Sequence, residues 1–142
     1  MRRLLIPAAA IALLGSAAFA QDAKVYGDKL GVMPRSNTNQ PMIDGTGVVE
    51  AKLDGKSLKI SGSFEGMKGD ATTLTLHQAR PGMAGPEIAS VDIAGGKSGA
   101  IDVSIDLTDE QVKLLEESHL YVVVNSSRSK TGELRAWLMA KK

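Results

Sequence analysis

Apolar and polar residues alternate along several short segments of the chain, most regularly over residues 57–64 and 101–107. Successive side chains of a β-strand point to opposite faces, so this alternation predicts strands with one face in a core and the other in water. Glycine-rich turns separate the segments, and Asp54-Gly55 predicts a tight hairpin. The pattern therefore predicts an all-β domain of about seven or eight strands, arranged as an antiparallel sandwich or barrel.

Two segments depart from this alternation. Residues 120–124, Leu-Tyr-Val-Val-Val, are continuously apolar, which predicts a strand in the middle of a sheet that is covered on both faces. Thr108 precedes Gln111 by three residues, the spacing of a helical capping box, so we expect a short helix near 108–117. A helix of this length is held by packing against the rest of the domain.

Polar side chains that bear on function lie in a loop and in the last strand. Residues 34–41 contain two prolines and several small polar residues, which predicts a surface loop. The last strand is predicted over residues 132–139, and its polar face carries Glu133, Arg135 and Trp137. We expect Glu133 and Arg135 to pair with opposite charges on neighbouring strands. An exposed Trp137 beside Arg135 is typical of a binding hot spot, whereas a buried Trp137 would belong to the core.

The first 20 residues have the features of a secretory signal peptide. Two arginines after the first methionine precede an apolar run over residues 4–14, and the small-residue triplet Ala18-Phe19-Ala20 follows. We therefore predict cleavage after Ala20, a single mature domain over residues 21–142, and a periplasmic or secreted protein. The longest later apolar run is far shorter than the roughly 20 residues of a membrane-spanning helix. No transmembrane segment is therefore expected after cleavage.

Composition narrows the classes of function. The chain has 142 residues, 43% of them hydrophobic, which suits one globular domain with its own core. It contains no cysteine, so disulfides and thiol chemistry are excluded. The predicted mature part carries 15 basic and 16 acidic side chains, a formal charge of −1. A surface this close to neutral argues against nucleic-acid binding.

An ordered set of short motifs runs through the predicted mature chain. The set comprises Gly47-Val48-Val49, the hairpin Leu53-Asp54-Gly55-Lys56-Ser57-Leu58, Phe64-Glu65-Gly66-Met67, His77 with Gly82-Met83-Ala84-Gly85-Pro86, Gly99, Leu107-Thr108-Asp109-Glu110-Gln111, Tyr121-Val122-Val123-Val124-Asn125 and Thr131-Gly132-Glu133-Leu134-Arg135-Ala136-Trp137-Leu138. In this order the motifs resemble the chordin-type domain family, known as CHRD. The resemblance spans essentially the whole mature chain. It implies an antiparallel β-sandwich of the immunoglobulin-like, Greek-key type. It also implies an extracytoplasmic location and roles that are mostly binding or unassigned, and it supplies no established enzymatic activity.

Metal binding is the sharpest chemical alternative. Members of the family commonly carry His-x-His where this chain has Thr75-Leu76-His77, and a further histidine where it has Asn125. The chain contains two histidines, His77 and His119, whereas a tight transition-metal site normally has three or four nitrogen or sulfur ligands. We therefore predict no bound metal or other cofactor. The alternative that stays open is a weak, degenerate metal site formed by His77 and a nearby carboxylate.

The remaining residues favour binding over catalysis. Ser126 and Ser127 lie in a predicted turn without the nucleophile-elbow pattern G-x-S-x-G, so we predict no enzymatic activity. We expect a non-enzymatic binding or structural module of the cell envelope, with an envelope protein as the class of partner. The candidate binding surface, with the 34–41 loop as a further part, consists of His77, Asn125, Glu133, Arg135 and Trp137.

Overall fold

Eight antiparallel strands and one short helix make up the structure, a computed structural model that describes residues 24–141. The predicted signal peptide, residues 1–20, lies outside the described residues. The observed elements confirm the predicted all-β class, the number of strands and the single helix. The elements are β1 (Lys24–Val32), β2 (Thr46–Asp54), β3 (Ser57–Glu65), β4 (Ala71–Gln78), β5 (Glu87–Asp92), β6 (Gly99–Asp106), α1 (Asp109–Glu116), β7 (Leu120–Ser126) and β8 (Leu134–Trp137), with a 3-10 turn at Gln40–Met42.

The strands are hydrogen-bonded in one continuous sheet, in the order β5-β4-β7-β8-β1-β2-β3-β6. Strand β1 belongs to both halves of this sheet, because Lys24–Leu30 pair with β2 while Gly31 and Val32 pair with β8. The two halves pack their apolar faces on one shared core, and the edge strands β5 and β6 come into contact. The inner faces of both halves are therefore buried in the core.

The core consists of the apolar side chains that alternate along the strands. Leu58, Ile60 and Ile101 enter it from β3 and β6, and Leu74 and Val122 enter it from β4 and β7. None of these five side chains is more than 2% exposed. Because full burial of such a side chain contributes about 1.5–3 kcal/mol, the alternation fixes which face of each strand turns inward.

Helix α1 begins after Thr108, as the capping box predicts. The Thr108 hydroxyl oxygen accepts a hydrogen bond from the backbone nitrogen of Gln111 at 3.2 Å, and the Gln111 side-chain oxygen accepts one from the backbone nitrogen of Thr108 at 2.9 Å. Leu115 anchors the helix, because its side chain is fully buried in the core. No helix within residues 24–141 has the length and hydrophobicity required to cross a membrane.

Two local predictions are wrong by one residue or more. The hairpin turn consists of Gly55 and Lys56, because Asp54 is still paired as the last residue of β2. Gly55 adopts the positive φ, 65°, that favours glycine in such turns. The last strand is shorter than predicted, since β8 covers Leu134–Trp137 and Glu133 precedes it.

Strand β7 is buried on both faces, as its continuous apolar sequence predicts. The core covers one face. On the other face, the 79–86 loop bonds to Tyr121, and Gly132 packs so closely on the Val123 side chain that a Cβ at Gly132 would collide with it. The outer face of β4, β7 and β8 is therefore partly covered by loops.

Candidate functional site

Three rings form a row across the outer face of β4, β7 and β8. His77, Tyr121 and Trp137 are direct cross-strand partners, so the register of the sheet brings them together. The His77 and Tyr121 rings are stacked, with centroids 4.9 Å apart and planes 16° from parallel. The Tyr121 and Trp137 rings follow at 4.6 Å and 36°. Aromatic contacts of this kind contribute about 0.5–1.5 kcal/mol each beyond the free energy of burying their surface. The contacts therefore stabilise the relative positions of the three rings.

Arg135 lies over the tryptophan end of this row. Its guanidinium carbon is 4.7 Å from the centroid of the Trp137 ring and 6.0 Å from that of the Tyr121 ring. Both distances fall within the range of cation–π attraction. Arg135 and Trp137 are both half-buried, so each keeps part of its surface in water. The prediction that Arg135 and Trp137 lie on the same face of the last strand is confirmed.

The polar ends of the three rings hold the 79–86 loop against the sheet. The indole N–H of Trp137 donates to the carbonyl oxygen of Ala79 at 3.1 Å. The Tyr121 hydroxyl accepts from the backbone nitrogen of Gly85 at 3.0 Å and donates to the carbonyl oxygen of the same residue at 3.3 Å. Nδ1 of His77 lies 3.1 Å from that carbonyl oxygen. The loop is therefore positioned by side chains of three different strands.

A groove of about 400 Å³ lies beside Trp137, between β1 and the chain that follows β8. Gly31 leaves it open, because a Cβ at that residue would meet no atom within 4 Å. Met83, in the neighbouring loop, is 61% exposed. We call this feature the Trp137 groove. It is lined by Asp28, Lys29, Gly31, Val32, Pro81, Arg135, Ala136, Trp137 and Met139.

A second groove, of about 330 Å³, lies beside His77. Nε2 of His77 is 2.9 Å from the hydroxyl oxygen of Thr75. The side-chain amide of Asn125 donates to the hydroxyl oxygens of Thr73 and Thr75 at 3.0 and 3.2 Å. We call this feature the Asn125 groove. It is lined by Thr73, Thr75, His77, Glu87, Ser90, Asn125, Lys130 and Thr131.

The His77 environment bears on the metal alternative. Within residues 24–141, no group of three or more histidine, aspartate or glutamate side chains is arranged to hold a metal ion. Both ring nitrogens of His77 already have hydrogen-bond partners in the fold. A metal at either nitrogen would have to displace Thr75 or the carbonyl oxygen of Gly85. The site therefore offers one imidazole whose nitrogens are both occupied.

The expectation of an exposed Glu133 beside Arg135 is wrong. The Glu133 side chain is fully buried and accepts hydrogen bonds from the backbone nitrogens of Asp44 at 3.2 Å, Lys68 at 2.8 Å and Gly69 at 2.9 Å. The hydroxyl of Ser126 donates to the same carboxylate. These four donors compensate for the loss of water around the charge, and no cation within residues 24–141 pairs with the carboxylate. Glu133 therefore joins loops inside the fold and forms no part of the candidate surface.

The 34–41 loop also lies apart from the Trp137 groove. Together with Ile43, Asp44 and Lys68 it lines a separate open groove of about 480 Å³. Arg35 pairs with Asp44 at 3.5 Å, with about half of each side chain exposed. Exposed pairs of this kind contribute little to stability. Of the predicted surface, the fold brings together His77, Asn125, Arg135 and Trp137.

Sequence reasoning missed two residues that organise this region. Tyr121 is predicted as part of a buried strand, which it is, yet its hydroxyl bonds to the 79–86 loop. Gly85 is predicted only as a turn residue, but a Cβ there would collide with the carbonyl oxygen of Gln78, so the close approach requires glycine. The role of Tyr121 follows from the sheet register, which pairs it with His77 and Trp137. The alternation within a single strand does not reveal that register.

Comparison with known proteins gives one family. The family model described as the CHRD domain matches residues 24–138. No curated protein and no solved structure matches the chain.

Proposed function

This chain belongs to the CHRD domain family, and we propose that it is an exported, non-enzymatic binding module that docks a protein of the cell envelope in the Trp137 groove. One observation carries the proposal: Arg135 stacks on a half-buried Trp137 at the wall of an open groove. Tryptophan and arginine are the residues most enriched among those that dominate binding energy at protein interfaces.

The lining of the Trp137 groove suits a protein partner. Val32, Pro81 and Met139 provide apolar surface, and the two positive charges of Lys29 and Arg135 outnumber the one negative charge of Asp28. Interfaces typically combine a dry apolar centre with a polar rim. The Tyr121 ring packs against Trp137 and holds that side chain in place, which lowers the entropy lost on binding. A partner segment with apolar and acidic side chains is therefore the complementary ligand.

A binding role without catalysis is supported by how the polar groups of the site are used. His77 is the side chain here best suited to acid–base chemistry. Its two ring nitrogens serve Thr75 and Gly85 within the fold. The Tyr121 hydroxyl and the Trp137 N–H likewise serve the 79–86 loop. The side-chain groups that could act on a substrate therefore form hydrogen bonds within the fold.

Export is supported by residues 1–20, whose charged start, apolar run and Ala18-Phe19-Ala20 triplet fit a cleaved signal peptide. The test is the mass of the protein recovered from the native cells. We expect an amino terminus at Gln21 in the periplasmic or extracellular fraction. An intact protein starting at Met1 in the cytoplasm would contradict export while leaving the docking proposal open to its own test.

Site-specific photo-cross-linking tests docking. A photoreactive residue replaces Lys29, which lines the Trp137 groove, and in a control replaces Lys59, an exposed residue of β3 in the other half of the sheet. We expect one discrete cross-linked envelope protein from position 29, absent from position 59 and lost when Gly31→Leu fills the groove. The same products from both positions, or no product from position 29, would contradict docking there.

A further inference from the structure

The Asn125 groove contains a buried polar group whose orientation can be worked out atom by atom. The carbonyl oxygen of Gly85 is an acceptor, so Nδ1 of His77 must be the nitrogen that donates to it. In a neutral imidazole Nε2 is then an acceptor, and the Thr75 hydroxyl donates its one hydrogen to it. The Thr75 oxygen can therefore only accept from Asn125, whose NH₂ group must face it.

This orientation leaves the amide oxygen of Asn125 without a partner. The NH₂ group is used by Thr73 and Thr75, and no hydrogen bond to the oxygen occurs within residues 24–141. Asn125 is only 6% exposed. A buried acceptor without a donor costs free energy, and nearly all such groups in native proteins are paired. Because Asn125 lines the groove, a ligand in the groove can supply the missing donor.

The two walls of the groove carry opposite charges. On the β5 wall, a bulge between Leu76 and His77 in the β4–β5 pairing places Glu87 opposite His77, on the outer face of the sheet. On the other wall lie Lys130 and Thr131, in the segment between β7 and β8. Glu87 and Lys130 are exposed, and neither belongs to an ion pair of the described chain. Between the walls lie the side chains of Thr73, Thr75, His77 and Asn125.

We propose that the Asn125 groove binds a small zwitterion of the α-amino-acid type. The ligand's ammonium group donates to the amide oxygen of Asn125 on the side that faces the negative charge of Glu87, and its carboxylate accepts from Lys130 and Thr131. A ligand with a single charge would leave one wall unpaired, and a neutral one would leave both. The volume of about 330 Å³ lies at the lower end of the range for small-molecule sites. This binding is separate from docking in the Trp137 groove.

The test is titration of the isotope-labelled protein followed by NMR, with L-alanine as the probe. Acetate, ethylamine and glucose carry, in turn, only the carboxylate, only the ammonium group, and uncharged hydroxyls. We expect L-alanine to shift the amide signals of Thr73, Thr75, Asn125 and Thr131 and to bind at least about tenfold more tightly than the other three, since each charge-assisted hydrogen bond lost weakens binding by that order. Equal or tighter binding of glucose, or no shift with L-alanine, would overturn the proposal.

Variants locate the binding. Lys130→Ala and Glu87→Gln alter exposed side chains, so they leave the fold intact, and each should weaken L-alanine binding severalfold. Asn125→Leu should weaken it at least about tenfold. If that variant is unstable, Ser90→Phe, which places a ring in the groove from the exposed surface of β5, should abolish binding. The matched control is Lys59→Ala, on the other half of the sheet. A loss of binding in the control, or unchanged binding in the groove variants, would overturn the assignment.

Discussion

The phenol oxygen of Tyr121 lies 3.0 Å from the backbone nitrogen of Gly85, a residue 36 positions earlier in the chain. Through this contact, strand β7 positions the loop that forms one end of the Trp137 groove, since Pro81 of the same loop lines that groove. The stacked His77 and Trp137 rings on either side of Tyr121 hold the phenol in place. The shape of the proposed docking groove therefore depends on a side chain that lies almost entirely beneath the surface.

Tyr121→Phe removes this contact while keeping the ring. We expect the free energy of unfolding to fall by about 1–2 kcal/mol, because the hydroxyl makes two hydrogen bonds to Gly85. Hydrogen exchange should become faster in residues 79–86 and stay unchanged in β2 and β3. The control is Tyr26→Phe, at the chain's other tyrosine, measured at neutral pH. Unchanged exchange in the loop would show that other contacts hold it.

Replacing Glu133 should cost far more than replacing an exposed glutamate. Glu133→Leu takes the acceptor away from three backbone N–H groups, one of them in a fully buried hydrogen bond, and we expect a loss of about 3–5 kcal/mol in urea unfolding. Glu133→Gln keeps the shape and should cost less. The matched control, Glu65→Gln on the exposed face of β3, should stay within about 0.5 kcal/mol. Equal effects of the two glutamine variants would contradict the role assigned to the buried carboxylate.

Tyr26 should give the fold a component of stability that is lost in alkali. Burial raises the pKa of its phenol above the ordinary value of 10.0; Lys24 opposes the shift and Glu116 adds to it. The folded pKa lies above the unfolded one, so this contribution is complete below about pH 10 and is lost as the pH rises through the folded pKa. Between about pH 8 and pH 11, the wild type should lose more stability than Tyr26→Phe. Equal losses would mean that Tyr26 does not titrate differently on folding.

Metal ions should leave the stability of the protein unchanged. A metal that binds only the folded state, at 100 times its Kd, adds about 2.7 kcal/mol and raises the melting temperature by several degrees. We expect no such rise with copper or zinc, because both nitrogens of His77 are occupied by Thr75 and Gly85. A rise that disappears in His77→Phe, which keeps a ring against Tyr121, would instead establish the weak metal site.

Local sequence patterns predict the parts of this fold that depend on neighbouring residues. Alternation identifies the inward faces of β3 and β6, and the Thr108–Gln111 spacing locates the start of α1. The same alternation misplaces Glu133, because its carboxylate is drawn inward by donors 64, 65 and 89 residues away. No pattern within one strand contains contacts at such separations.

The candidate surface could be predicted only where it depends on residues close together in the sequence. Arg135 and Trp137 share a face because they are two residues apart on one strand, and the sequence alone indicates this. His77 and Trp137 meet on either side of Tyr121 only because β7 lies between β4 and β8. Glu87 reaches the outer face only through the bulge opposite His77, which alternation does not predict. The alternation pattern therefore predicts neither the order of the strands in the sheet nor the position of the bulge.

The affinity of the cross-linked envelope protein for the Trp137 groove tests the central claim most directly. Once that protein is purified, its Kd is measured for the wild type, for Gly31→Leu, which fills open space in the groove, and for the control Lys59→Ala. We expect Gly31→Leu to weaken binding by about thirtyfold or more, the loss typical of a blocked hot spot, and Lys59→Ala to change it less than about twofold. Equal affinities for the wild type and Gly31→Leu would contradict docking in this groove.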